Sequence, residues 1–168
     1  WFGWFGFNPG STLAGTDLRM AIVATNTMLA GAMGACMSLL YVWIRYGKPD
    51  ISMGCNGMLA GLVAITAPCA YVNSISAVII GGVAGLLVVW AVLFVERVLK
   101  VDDPVGAIAV HGFNGAWGVL AIGLFADGTY GDGMNGVPGA ITGLFYGAGV
   151  SQLMAQSVGV LANLIFVG

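Results

Sequence analysis

Between Asp50 and Glu96 this chain carries no charged side chain. A helix needs about 20 apolar residues to cross a ~30 Å hydrocarbon layer, so the uncharged interval from Ile51 to Val95 is long enough for two crossings joined by a turn. The whole composition agrees: 59% of the residues are hydrophobic and 7% charged, against roughly 25% charged in soluble domains. The chain therefore reads as all-α, a polytopic transmembrane helical bundle. Its formal net charge of −2 is too small to imply a nucleic acid or an acidic partner.

Charges and turn residues divide the chain into six apolar segments. The first, 1–11, is too short to span and reads as the end of a truncated helix; the chain opens on Trp1 inside it and stops at Gly168 inside the last, which reads as part of a longer polytopic protein. The others are expected at about 18–44, 52–71, 75–95, 104–126 and 137–167. Pro68, Asn73 and Ser74 mark the break inside the uncharged interval, and Pro104 suits a first helical turn. Arg45 and Lys48 share one connector, and Arg97 and Lys100 lie two crossings later, so four of the five basic residues fall on one side, expected to be cytoplasmic. The end of the first segment and the Asp127–Asn135 loop then face outside. Glycines at four-residue spacing (Gly57 and Gly61; Gly81 and Gly85; Gly139, Gly143 and Gly147) are expected to let helix backbones approach closely. That pattern speaks for a dense bundle and not for a function.

No enzyme signature is present: no HExxH, no phosphate-binding glycine loop and no G-x-S-x-G elbow. Cys36, Cys55 and Cys69 show no metal-ligand spacing and read as small packing residues. With one histidine and no carboxylate inside a span, neither a metal site, a cofactor nor an acid/base pair is expected. The one histidine, His111, is the residue that calls for an explanation. Counted as helix from Asp103, it lies ~12 Å in, near the middle of the hydrocarbon layer, where an ionisable ring marks a pathway, a relay or a partner. It is either a buried polar group satisfied by a neighbouring helix or a pore-lining group. The aromatics Trp1, Phe2, Trp4, Phe5 and Phe7, ahead of Asn8-Pro9-Gly10-Ser11, likewise have two readings. One is an interfacial aromatic belt; the other is a cation–π vestibule in which ring faces and the Ser11 hydroxyl capture a small cation.

Three segments carry a resemblance. WFGWFGFNPGS at 1–11 resembles the sixth helix of the ammonium transporter (Amt) branch of the Amt/Rh family, NGMLAGLVAITAPCAYV at 56–72 its eighth, and VDDPVGAIAVHGFNGAWG at 101–118 its tenth. They occur in the family's order, so the chain is similar to roughly helix six to helix eleven of an eleven-helix protein. The resemblance implies a function: transport of ammonium or ammonia through a narrow hydrophobic pore, without enzymatic chemistry. It also implies residue roles: Ser11 in the outer vestibule, Phe7 as one of two stacked gate rings, Trp4 lining the pore deeper in, His111 as the second of two pore histidines, and Thr66 approaching the pore. Asp102 and Asp103 resemble the acidic pair at the cytoplasmic start of helix ten and read as helix N-terminal charges. The first pore histidine, the other gate ring, the remaining vestibule aromatics and a supporting aspartate belong, by the same resemblance, to helices one to five. It further implies a homotrimer with one pore per protomer in the plasma (cell inner) membrane, in contact with lipid, and a cytoplasmic PII-type regulatory protein as candidate partner. The rival readings are an ammonium sensor, since some family members signal nitrogen status, and a plain helical scaffold.

Overall fold

The computed structural model describes residues 1–129 and 139–167. Helix α1 spans Phe2–Phe7 and passes through Asn8 into a 3-10 turn at Pro9–Thr12. It is followed by α2 (Arg19–Tyr46), α3 (Ile51–Thr66), α4 (Ser74–Phe94), α5 (Asn114–Phe125) and α6 (Ser151–Val167). A π-helical turn at Val95–Leu99 prolongs α4, and another at Ile108–Phe113 leads into α5. With these turns included, Arg19–Tyr46, Ser74–Leu99 and Ile108–Phe125 are long and apolar enough to cross a membrane, while α3 and α6 are shorter apolar helices.

The ends of the helices follow from local chemistry. Gly47, at φ +78°, closes α2 in the left-handed conformation that glycine adopts without a Cβ penalty. Asp50 accepts the Met53 N–H at the start of α3, and Asn73 accepts the Ser76 N–H at the start of α4; both satisfy amides that a helix start leaves without partners. Helix α3 ends at Thr66, two residues before Pro68, which has no N–H to continue it. The chain then turns, and the fully buried Asn26 of α2 holds that turn. Its amide donates to the carbonyls of Cys69 (3.0 Å) and Val72 (2.7 Å), and its Oδ1 accepts from the Ser74 hydroxyl (3.1 Å).

Packing centres on α2, α3 and α4. Gly57 and Gly61 of α3 and Gly81 and Gly85 of α4 all converge on the Ala30–Gly34 stretch of α2, where a Cβ at any of them would collide with backbone atoms or, at Gly57, with Ser38. Contact at this range trades side-chain volume for backbone-to-backbone dispersion, the usual currency of helix association in lipid. Around it lies a core of Val23, Ala60, Ile65, Ile80, Ala84 and Val88.

Two expectations need correction. Gly139, Gly143 and Gly147 do not line a helix: residues 139–150 run as bends around a 3-10 turn at Leu144–Tyr146, with Gly147 left-handed at φ +90°. Glycine costs about 1 kcal/mol in a helix interior relative to alanine, so a run this rich in glycine follows the turn instead. Gly143 backs onto the backbone of Leu124 and Phe125 and donates its N–H to the Ala126 carbonyl (2.7 Å), while Asp127 bridges Thr142. Pro104, in turn, sits in a turn before its helix and not in the first helical turn. The buried carboxylate of Asp103 reaches past it to accept the N–H groups of Ala107 (2.7 Å) and Ile108 (2.9 Å). Of the Asp127–Asn135 loop, the part beyond Thr129 lies outside the described residues.

Candidate functional site

His111 is carried by the π-helical turn Ile108–Phe113, a conformation recurrent at functional sites because it re-aims side chains. The turn is held at both ends. Asp103 caps its start, and the amide of the fully buried Asn114 donates to the Ala109 carbonyl five residues back (2.9 Å). Because the helix begins near Ala107, His111 stands about one turn, ~6 Å, from its start, and not the ~12 Å that counting straight helix from Asp103 predicts. The imidazole is exposed. It lines a groove of about 610 Å³ with Gly112, Gly115 and Ala116 on one side and Gly159, Val160 and Asn163 of α6 on the other. Among the described residues no charged side chain borders the groove, and the walls they form are apolar apart from the imidazole and one amide.

The remaining candidates form a second group, set by α1 and the turn after it. The Trp4 indole Nε1 donates to Thr66 Oγ1 (2.8 Å), and Thr66 donates to the Leu62 carbonyl (2.8 Å). Trp4 is thereby clamped to the C-terminal turn of α3. The buried Asn8 donates to Thr27 Oγ1 of α2 (3.1 Å) and fixes the corner where α1 meets the 3-10 turn. Across that corner the Ser11 hydroxyl donates to the Phe7 carbonyl (2.6 Å), and the Phe7 ring is 58% exposed. A serine whose proton is engaged presents lone pairs outward, the polarity that accepts an N–H from a cation.

Trp4 is thus joined to Thr66, and Phe7 to Ser11, whereas no hydrogen bond or ring contact links His111 to either pair among the described residues. Among those residues, also, no group of three or more His, Cys, Asp or Glu side chains converges. Sequence reasoning missed the π turn and Asn114. The available signal was an amide-bearing residue in an otherwise apolar helix, placed to reach a carbonyl that a regular helix would have used. It also missed the ring cluster beside the turn, in which Phe113 meets Trp90 (5.9 Å) and Phe94 (6.0 Å) edge to face.

The profile of the Ammonium Transporter Family matches residues 1–168. Ammonium transporter Amt2 of Archaeoglobus fulgidus is 54% identical over 147 residues, a region that covers 88% of this chain and 31% of that protein. The solved structure of Saccharomyces cerevisiae Mep2 superposes with a TM-score of 0.87 at 32% identity, over 98% of this chain and 36% of that one. That of a protein described as a sensor Amt protein superposes with a TM-score of 0.82 at 38% identity, over 96% of this chain and 37% of that one. The chain spans about a third of the length of the curated relatives it matches. With a family match along its whole length, an all-helical bundle of apolar spans and a superposition on solved transporters at this identity, the chain belongs to the ammonium transporter family.

Proposed function

We propose that this chain builds one wall of a pathway for ammonium or ammonia across the plasma membrane. The observation that carries the reading is the placement of His111: an exposed imidazole on a braced π turn, bordering an otherwise almost apolar groove, in a chain of the ammonium transporter family. Phe7 and Ser11 are the vestibule elements in this reading. The ring offers a π face and the hydroxyl offers lone pairs to an ammonium ion. Trp4, held by Thr66, lines the next stage. Entry into a low-dielectric lumen disfavours the charged form, so the amine's pKa falls and it tends to give up its proton. Neutral ammonia then passes walls that offer it little beyond dispersion, with the His111 imidazole as hydrogen-bonding partner. No bond of the protein is made or broken in these steps. The basic connectors holding Arg45, Lys48, Arg97 and Lys100 face the cytoplasm in this reading. The assembly is a homotrimer with one pore per protomer, and a PII-type protein acts on its cytoplasmic face.

The test is uptake of labelled methylammonium by cells that lack their own ammonium uptake and express the full-length protein carrying this chain. Saturable uptake competed by ammonium but not by potassium is expected. Correctly inserted protein without uptake overturns transport. If such protein still changes the state of a partner or fused domain when ammonium is added, the sensor reading replaces it.

A further inference from the structure

The glycines around His111 leave its ring little to pack against. Its neighbours one residue and one turn along are Gly112 and Gly115, and a Cβ on either would meet only Ile108 (3.9 Å) or Val63 (4.0 Å). Across the groove stands Gly159, whose Cβ would meet nothing within 4 Å. The aim of the imidazole is therefore set by the backbone that carries it, the π turn Ile108–Phe113.

The hydrogen bonds of that turn converge on one residue. In a π register an N–H reaches the carbonyl five residues back, so the Ala109 carbonyl is matched to the Asn114 N–H. That N–H goes instead to the carbonyl of His111. The Asn114 side-chain amide takes up the Ala109 carbonyl in its place (2.9 Å). One residue thus holds the backbone at His111 and again two residues before it.

A second observation says what this residue is for. The Asn114 side chain is fully buried, and its Oδ1 has no hydrogen-bond partner among the described residues. A buried acceptor without a partner is destabilising and offsets what the amide gains. An apolar side chain of the same branching would avoid that cost. Stability therefore gives little reason for an asparagine here, and the register of the turn gives a direct one. Without the amide bond, Ile108–Phe113 is free to close into a regular helix, shedding the residue by which a π turn exceeds an α turn. One residue of register turns a helix by about 100°, enough to carry the imidazole out of the groove.

We propose that Asn114 is a positioning residue of the pathway: its side-chain amide keeps Ile108–Phe113 in the π register, and that register aims His111. This role rests on the reading of His111 as a pathway residue.

The experiment pairs a cryo-EM structure of the full-length protein carrying Asn114→Leu with methylammonium uptake by the same variant. The expected structure has a regular α-helix through 108–113 and the His111 ring turned out of the groove. The maximal rate of uptake should fall about tenfold, as for a misaimed group. KM should stay within about twofold, because among the described residues no hydrogen bond ties Phe7 or Ser11 to the turn. The melting temperature should stay within ~3 °C of the wild type. If leucine is too large for the protein to fold, Asn114→Ser takes its place. A serine hydroxyl reaches carbonyls three or four residues back and not five, so the same turn of His111 and the same loss of rate are expected. An unmoved imidazole in the folded variant overturns the role of Asn114, whatever the uptake. A moved imidazole with an unchanged rate overturns the pathway reading of His111, and the positioning role with it. Inserted wild-type protein without uptake refutes that reading separately, and the place of the imidazole in the variant still decides whether Asn114 sets it.

Discussion

The α2–α3–α4 unit and the His111 groove between α5 and α6 use glycine in opposite ways, although Gly118 and Gly123, on the other side of α5, pack tightly against the backbones of Ala64 and Leu153. In the first, Gly34, Gly57, Gly61, Gly81 and Gly85 interlock backbone against backbone, and nothing larger fits. In the second, a Cβ on Gly159 of α6 would meet nothing within 4 Å, one on Gly112 only the tip of Ile108, and α6 buries no residue at all. The first unit is closed on itself; the second presents a groove with its histidine uncovered. In the proposed reading, the division separates what makes the bundle stable from what lines the pathway. A wall for a moving solute has to stay smooth and partly open, and its rigidity has to be borrowed from elements that are packed for no other purpose.

The sharpest way to break this comparison is to exchange the substitutions. Gly61→Val should cost about 3 kcal/mol or more, because the new side chain meets the Ala30 carbonyl and neither helix can give way. Gly159→Ala, on the open face, should stabilise α6 by up to ~1 kcal/mol through the lower entropy of the unfolded chain. Thermal unfolding of the purified full-length protein, followed by loss of monodisperse material, measures both. Similar behaviour of the two variants would remove the distinction.

The second effect is functional. His111→Leu should leave stability within about 0.5 kcal/mol, because the ring is exposed and no hydrogen bond among the described residues depends on it. Flux or its selectivity should change tenfold or more, which corresponds to ~1.4 kcal/mol on a barrier. Methylammonium uptake by a variant expressed at normal level decides the matter. Wild-type flux with unaltered selectivity would make His111 a bystander, and the groove a packing defect.

A smaller effect is expected where the two regions meet. Asp103 sits at the end of the α4 connector and holds the start of the π turn through two backbone amides. Asp103→Ala should cost about 1 kcal/mol, as loss of a helix cap does, and should lower flux through misplacement of His111. Asp102→Ala, at an exposed neighbour, should alter neither by a measurable amount. If Asp103→Ala changes stability but not flux, the brace is structural only.

How far the sequence foretold this arrangement differs between the two regions for a physical reason. The closed unit was legible because its signals are additive: an uncharged interval between Asp50 and Glu96, a proline that stops α3, and glycines at helical spacing that need only pack. The open face was not. The π turn depends on where the Asn114 amide finds a carbonyl, and the bends of 139–150 depend on glycines taking left-handed angles, so both are tertiary choices between conformations of similar local cost. Spacing alone made Gly139, Gly143 and Gly147 look like a third interlocking stripe, when they belong to a turn. The candidate residues Trp4, Phe7, Ser11, Thr66 and His111 were identifiable by resemblance. The bonds that seat them, Trp4 to Thr66 and Asn8 to Thr27, came only with the fold.

The smallest expected effect lies at the entry of α2, outside the spans, and probes whether charge contributes to the closed unit at all. Asp17 and Arg19 form a two-residue clamp: the guanidinium contacts both carboxylate oxygens, and the Arg19 N–H donates to Oδ1 (2.9 Å). The side-chain hydrogen bond from Arg19 is the main reason that the Asp17 carboxyl is held below its ordinary value of 3.8, with the Arg19 backbone N–H adding to it. A depressed pKa in the folded state means stability that is present above the unfolded value and lost as pH falls through the folded one. The loss therefore belongs below about pH 4, and no gain or loss from this pair is expected between pH 5 and 8. Asp17→Asn should flatten the acid limb of the stability–pH curve slightly and lower stability by a small, pH-independent amount between pH 5 and 8, a difference that weakens further in high salt, as for any pair near the surface. Should Asp17→Asn instead destabilise the protein at pH 7 as much as Asp103→Ala does, the closed unit would depend on its charged entry as well as on its glycines, and the contrast between the two regions would have to be redrawn around electrostatics.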